Sequence, residues 1–432
     1  MELSDDQLSA RFREQKAEIE KVIDVAVYAA SDDQQPTCLY ERGIVLARDD
    51  GAEETVRDLG VRRVGAPNRT GYARFATDDQ PWRVARRAGP GGGVTPNHVV
   101  SITRVNNCPA DEPMPVPAGQ DLLPGVGDID AGRGVQIRVL DTGLIELAGS
   151  SPAAPSGLDD PDQDLGPYGR IGFYAGHGSF IRGILARVAP AASVRVTAEL
   201  SLAGIVTEHD LGDALERVMD DPPDIISLSA GTASSLDGPL EGLKTFMARL
   251  RAQERTLLVA AAGNNGRPDA FYPAAEAGSY AGDTPPRVVA VGALRQDALA
   301  KACFTNYGDW VTVYAPGERF VNTFYREGYY HYRHTSTAEC RYRNLYPGCS
   351  CVLPMRRFGD VVAFDGRAAW SGTSFSTPIV AGLIAEHMTR TSMSAPEAAR
   401  DLLRTAPVIK DETDGEEIRV LLPLGYPPRA VD

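Results

Sequence analysis

Four short stretches of this 432-residue chain carry side chains suited to nucleophilic chemistry. In VQIRVLDTG (135–143) an apolar run delivers Asp141 to its end, and a Thr-Gly turn follows. In AGHGSFIRG (175–183) His177 stands between glycines where an apolar helix begins. In TLLVAAAGNNG (256–266) a fully apolar run ends in small residues and then Asn264. In WSGTSFSTPIVAG (370–382) Ser374 opens an apolar helix, with Pro378 near the first turn, where a missing N–H costs little. A serine hydroxyl is a weak nucleophile. It needs a base to take its proton, a carboxylate to orient and stabilise that base, and a donor for the oxyanion that forms. The positive end of a helix disfavours an imidazolium, so His177 acts as a base only with a partner such as Asp141. An amide donor such as that of Asn264 is worth about 3–4 kcal/mol of barrier. Taken singly, each stretch also has a plainer reading: a turn aspartate, a capping histidine, an Asn-Asn-Gly turn. The serine stretch is not G-x-S-x-G, because Ser376 stands at the fifth position, which disfavours the α/β-hydrolase elbow.

The elements that must position these residues follow from hydrophobic patterning. Short β-rich apolar runs at 135–140, 194–198, 224–229, 256–261, 288–291 and 311–315 alternate with helical patterns that begin near Gly178, Glu208, Leu240, Ser374 and Pro396. This alternation predicts an α/β fold: a doubly wound, mostly parallel sheet with helices on both faces. Sites in such sheets form beyond the carboxyl ends of the strands, where Asp141 and Asn264 fall. Ahead of it, residues 1–108 predict a small α+β domain of the ferredoxin-like kind. It has a charged helix over about the first 22 residues, strands at 39–47, 71–75 and 98–103, and helices at 52–59 and 81–88. The GPGGG stretch at 89–93 reads as a turn cluster, not a phosphate loop, because no strand leads into it. Residues 109–134, rich in proline and glycine, predict a linker or an extended wrap along another surface. The catalytic domain is expected over 135–405, and a tail over 406–432.

The chain order Asp, His, Asn, Ser, with these flanking residues, resembles the subtilisin-like serine proteases (subtilases, S8-type peptidases). SLSAG at 227–231, YPAA at 272–275 and FTNYGDWVTVYAPG at 304–317 add to the resemblance, which covers about 130–405. The resemblance implies that Ser374 attacks a peptide carbonyl and that His177 carries the proton to the leaving amine. It implies that Asp141 holds the imidazole, and that Asn264 and the Ser374 N–H, helped by Thr373, form the oxyanion hole. Ser229, Ala230 and Gly231 would pair with the substrate backbone as an added strand. The front domain resembles the propeptide-like domain that precedes many subtilases; the other reading is a partner-sensing module.

Several residues depart from the family pattern. Phe180 stands where a second histidine is usual, Arg182 where an alanine is usual, and Ser376 where a small alanine is common. Arg182 is read as solvated. The separations are 36 residues from Asp141 to His177, 87 to Asn264 and 110 to Ser374. The last exceeds the family's usual length, because of an insertion at about 319–367. This insertion holds ten Tyr and Phe residues and a net charge of +4, from eight Arg against four Asp and Glu. Three readings stand for it: a packed lid or specificity loop, a zinc-stapled knuckle using Cys340, Cys349 and Cys351 with His331 or His334, and a docking patch for nucleic acid or a partner. Asp159, Asp160, Asp162 and Asp164 read as a solvated acidic loop rather than a calcium site, since the EF-hand pattern fails at Leu165 and Ile171. The short stretch from Asn264 to Tyr272, with Phe271 in it, suggests an altered pocket for the residue before the scissile bond.

Composition sets the outer bounds. Acidic residues outnumber basic ones 58 to 44, a net charge of −14, which argues against nucleic-acid binding and a polybasic membrane anchor. No apolar run is long enough to span a bilayer, and the charged N-terminus lacks a secretory pattern. With six sparse cysteines, these features predict a cytoplasmic protein without a disulfide framework. The expected function is an intracellular serine endopeptidase that acts on polypeptides and needs no cofactor or metal, with a regulatory protein partner conceivable. The alternative is a catalytically dormant, peptide-binding or partner-sensing protein on the same fold.

Overall fold

The computed structural model describes all residues except 9, 31–35, 50–56, 90, 103–111, 117–127, 146–158, 163, 165–168, 201, 237, 280–284, 327, 333–359 and 427–432. At its centre lies a six-stranded, wholly parallel sheet. Its strands are β8 (Gln136–Asp141), β9 (Ser193–Ala198), β11 (Ile225–Leu228), β12 (Leu257–Ala261), β13 (Val288–Leu294) and β14 (Val313–Pro316). They run in the order β14-β13-β12-β11-β8-β9. Sequences such as LLVAA in β12 are buried along their whole length, as expected for a sheet covered on both faces. The helices that cover it are α3 (His177–Val188), α4 (Glu208–Val218), α5 (Lys244–Ala252), α6 (Thr373–Thr391) and α7 (Ala395–Thr405). Local chemistry starts some of them. Thr207 caps α4 by accepting the Asp210 N–H, and Ser394 and Glu397 form a capping box on α7.

The front of the chain builds a second, antiparallel sheet from β1 (Glu2–Leu3), β2 (Val25–Tyr28), β3 (Cys38–Arg48), β4 (Arg62–Arg63), β5 (Tyr72–Ala76) and β6 (Val94–Ser101). Strands β6-β3-β5-β4 lie side by side in that order, which is the ferredoxin-like arrangement. Helix α1 spans Ala10–Ile19 and α2 spans Pro81–Ala88, and Gly89 of the glycine cluster caps α2 at a φ of 76°. The β2 strand was not expected. Its VAVY run directly follows the charged helix and is fully buried. The helix expected at 52–59 lies largely outside the described residues.

The expected tail and the expected linker or wrap both pack onto the catalytic domain. The stretch taken as a tail folds back as a hairpin, β19 (Val408–Lys410) with β20 (Glu417–Arg419). It buries Ile418, Val420 and Leu421, and Val420 bridges to Tyr314, so the catalytic domain extends past 405. Within the linker, Met114–Pro115 forms β7 and pairs with β18 (Arg367–Trp370), which in turn pairs with β15 (Phe320–Thr323). The described ends of the insertion are packed into the core: Phe324 and Tyr330 are fully buried, and Trp370 just beyond it nearly so. A hairpin of β16 (Tyr329–His331) and β17 (Val361–Ala363) continues it, with His331 stacked edge-on to Tyr329. Cys340, Cys349, Cys351 and His334 lie outside the described residues. The front domain does not stand apart: Phe12, Ile19, Val25, Leu39 and Val99 share one continuous apolar core with Val139 and Phe180.

Candidate active site

The parallel sheet delivers Asp141 at the carboxyl end of β8, while His177 is the first residue of α3, set there by Gly176 at a φ of 83°. The His177 ring nitrogen Nδ1 lies 2.8 Å from Asp141 Oδ1, and both residues are buried. The same Oδ1 accepts the Thr142 N–H at 2.8 Å. Among the described residues Asp141 Oδ2 has no partner, so the carboxylate's hydrogen bonding is concentrated on the edge that faces the imidazole.

Ser374 is the second residue of α6. Its Oγ donates to the Ser229 carbonyl at 3.4 Å, a long contact, and the Ser229 hydroxyl donates to the Ser374 carbonyl at 3.0 Å. No hydrogen bond joins Ser374 to His177 among the described residues; catalytic contacts of this kind commonly tighten only when substrate arrives. The Asn264 side chain is oriented by α6: its Oδ1 accepts the Thr373 N–H at 2.8 Å and the Thr373 hydroxyl at 2.9 Å. The Thr373 hydroxyl also accepts the Gly263 N–H. Both Thr373 donors thus bond to Asn264 in this structure and orient its side chain. Holding Oδ1 leaves the amide Nδ2 facing Gly372, where a Cβ would lie 3.3 Å away.

Aromatic rings enclose the histidine. The His177 ring lies 5.3 Å from Trp370, edge-on, and 5.4 Å from Phe375. Phe180 stacks at 4.6 Å on Phe375 and meets Trp370 edge-on. An apolar Phe180 fits here because Trp370, beside the serine turn, and Phe324, from the insertion, complete an aromatic cluster around it. Arg182 is half-buried rather than solvated, and burial pushes its guanidinium down, opposed by the charge of Asp159.

The acidic loop is not solvated either. Asp159 and Asp160 accept the Val196 and Ala198 N–H groups, which ties the loop to β9. Asp162 accepts the Thr142 hydroxyl at 2.8 Å and the Gly176 N–H at 2.7 Å, which braces both turns that carry Asp141 and His177. Burial, with the nearby Asp141 charge, pushes the Asp162 carboxyl up. Its place in an acidic run concealed this role. Among the described residues no cluster of three or more His, Cys, Asp or Glu side chains is arranged to hold a metal ion.

The expected substrate edge is occupied. Ser101, the last residue of β6, exchanges both main-chain hydrogen bonds with Gly231, at 3.0 and 3.1 Å. On its other side the same strand pairs with β10 (Ile205–Thr207), Val100 facing Val206, and the Ile102 N–H continues the ladder to the Gly204 carbonyl. Ala230 is fully buried behind this edge. The end of the front domain thus runs between β10 and the edge at Gly231 of the catalytic domain.

Comparisons with known proteins bear on the family and the fold. A family model described as Subtilase family matches residues 132–426. A thermophilic serine proteinase of Bacillus sp. (strain AK1) is 32% identical over 220 residues, 48% of this chain and 49% of the relative. An intracellular serine protease of Paenibacillus polymyxa is 28% identical over 225 residues, 48% of this chain and 64% of the relative. The chain spans between about half and just under two thirds of the length of these curated relatives. In fold it is similar to fervidolysin from Fervidobacterium pennivorans, a keratinolytic enzyme related to subtilisin, with a TM-score of 0.53 at 17% identity, covering 91% of this chain and 62% of that one. With the matched region extending over most of its length, this chain belongs to the subtilase family.

Proposed function

We propose that this protein is a serine endopeptidase that works inside the cell, acts on extended polypeptides, and is restrained by its own front domain. The observation that carries the reading is the 2.8 Å His177–Asp141 contact at the carboxyl edge of the sheet, with Ser374 at the start of α6 and Asn264 pre-oriented by Thr373. In the reaction Ser374 Oγ turns from Ser229 and gives its proton to His177 Nε2 as it bonds to the substrate carbonyl carbon. The imidazolium is stabilised by Asp141. The negative charge on the carbonyl oxygen is met by Asn264 Nδ2 and the Ser374 N–H, at the positive end of α6. Collapse of the tetrahedral species breaks the C–N bond, and His177 protonates the leaving amine. Water, deprotonated by the same histidine, then releases the acyl group.

Restraint follows from β6. Substrate has to add as a strand at Gly231, and Ser101 already holds both of that residue's main-chain groups. The intracellular setting is supported by the Paenibacillus relative, which is an intracellular serine protease. Among the described residues no helix is long and apolar enough to cross a membrane. The test is fluorophosphonate labelling and casein cleavage by wild type and Ser374→Ala, with intact-mass measurement of each. Labelling and cleavage by wild type alone are expected. Absence of both, also after the front strand is displaced by Val100→Asp, overturns the proposal in favour of a dormant peptide-binding protein.

A further inference from the structure

Phe271 occupies an unusual place beside the groove. Tyr272 exchanges two main-chain hydrogen bonds with Thr232, at 2.9 and 2.8 Å, and this pins the preceding residue against Gly231. A Cβ on Gly231 would overlap the Phe271 ring, and a Cβ on Gly263 would come within 2.9 Å of it. Phe271 is only 4% exposed. A side chain on either glycine would thus meet the same edge of the Phe271 ring, and both glycines follow the ends of the neighbouring parallel strands β11 and β12. Gly231 belongs to the edge that a substrate strand must pair with, and Gly263 immediately precedes Asn264.

A peptide bound for attack has its main chain on Gly231, its carbonyl carbon at Ser374 Oγ and its carbonyl oxygen towards Asn264. The side chain of the residue that bears this carbonyl then has one place to go, the crevice between 229–231 and 261–263. We propose that the Phe271 ring fills the depth of this crevice and restricts the residue preceding the scissile bond to Gly, Ala or Ser. The proposal rests on the endopeptidase reading above and adds its substrate class. Larger side chains would have to displace a buried ring that the Thr232–Tyr272 pairing holds in place.

The test uses the full chain, in wild-type and Val100→Asp backgrounds, with fluorogenic peptides that differ only in that residue: Ala, Leu or Phe. Wild type is expected to favour Ala over Phe by about 100-fold or more in kcat/KM, a span within reach of pocket discrimination. Phe271→Gly is expected to raise the rate on the Phe peptide at least tenfold while the Ala peptide slows, and Phe271→Leu to fall between. An equal loss on all three peptides with both variants means that the ring only packs the core, and refutes the proposal. Cleavage after Leu or Phe by wild type as fast as after Ala also refutes it. The ring then swings into the neighbouring cavity of about 340 Å³ lined by Ala233, Leu236 and Asn306. Labelling of Ser374 with cleavage of any of the three peptides separates all of these outcomes from failure of the endopeptidase reading, in which neither labelling nor cleavage occurs in either background.

Discussion

His98 should govern how firmly the front strand holds the groove. It lies on β6, three residues before Ser101, and is fully buried. Its Nδ1 is 2.6 Å from Glu208 Oε2 and its Nε2 is 2.8 Å from the Ser235 hydroxyl, and both partners belong to the catalytic domain. The other oxygen of Glu208 accepts the Gly242 N–H at 2.6 Å, so with His98 in place this fully buried carboxylate is satisfied. His98→Ala leaves Glu208 without its imidazole while the strand is seated, whereas with the strand out, water reaches Glu208 in either protein. Removing one partner of a buried pair costs about 3–5 kcal/mol. Taking about 3 kcal/mol, because water can enter the vacated space, the balance between seated and displaced strand moves by roughly 150-fold. The assay is the rate of fluorophosphonate labelling of Ser374 in the full chain, read beside thermal unfolding. Labelling is expected to accelerate by one to two orders of magnitude. His98→Ala with Glu208→Gln should return part of the way, because the unpaired atom is then neutral. If labelling stays within twofold of wild type while the unfolding midpoint falls, the pair stabilises the fold without gating the groove, and the reasoning fails.

Other perturbations test separate parts of the site. Asn264→Ala should lower kcat by about 100- to 1,000-fold with little change in KM, the usual effect of losing an oxyanion donor; a change confined to KM would contradict that role. Thr373→Val removes one of two hydrogen bonds that orient Asn264, and with about 0.5–1.5 kcal/mol per bond it should lower kcat by up to about tenfold, rescued by Thr373→Ser. Trp370→Ala should cost about 3–5 kcal/mol of stability in denaturant unfolding, since its ring touches His177, Phe180, Phe324 and Phe375; a cost under 1 kcal/mol would contradict the packing described. Burial raises the Glu276 carboxyl to about 7 from 4.5. The folded protein therefore keeps a proton that the unfolded chain has released, and stability contributed by this group is full below pH 4.5 and is lost as pH rises to 7. At 1.36 kcal/mol per unit the loss is at most about 3 kcal/mol. Glu276→Gln should remove this loss, so the stability difference between the variants should change across pH 4.5–7; a constant difference would count against it.

The parts of this molecule legible in the sequence are those where neighbours in the chain share one environment. LLVAA in β12 and IISL in β11 read as buried parallel strands; Asp141 and Asn264 fall at or just past the ends of such runs, while His177 and Ser374 open helices. The acidic stretch misled because four aspartates within six residues look like a hydrated loop. Their carboxylates instead satisfy N–H groups of β9 and of the turn at Gly176, partners that only the folded sheet brings near. The chain after 405 misled for the opposite reason. Ile418 and Val420 alternate with charged residues, a half-buried strand pattern too short to stand out beside TDGEE. The resemblance implies that Thr373 helps the oxyanion hole, but only the fold shows that its hydroxyl bonds to Asn264 Oδ1. Nor can a local pattern show that β6 ends against Gly231, because that pairing joins two domains.

The dual membership of β6 changes what release from the groove entails. Residues 94–99 pair with β3 inside the front domain, and residues 99–101 pair with β10 of the catalytic domain. The occupant of the groove is therefore not a free tail that peels away; it is the continuation of a strand that a folded sheet holds extended. An extended peptide in solution pays ordering entropy on binding, while this strand has paid it in the folding of its own domain. Val99, Val100 and Ile102 add buried apolar surface at the same place, at about 1.5–3 kcal/mol for each side chain fully buried. A peptide substrate of equal intrinsic fit thus loses the competition as long as the front domain is folded and seated. Unfolding or capture of that domain removes the advantage at once, since the short groove segment alone keeps only a few main-chain hydrogen bonds. If the front domain restrains the site as proposed, control resides in the integrity of that whole domain, and an agent that loosens α1 or β2 should activate as effectively as one that acts at the groove.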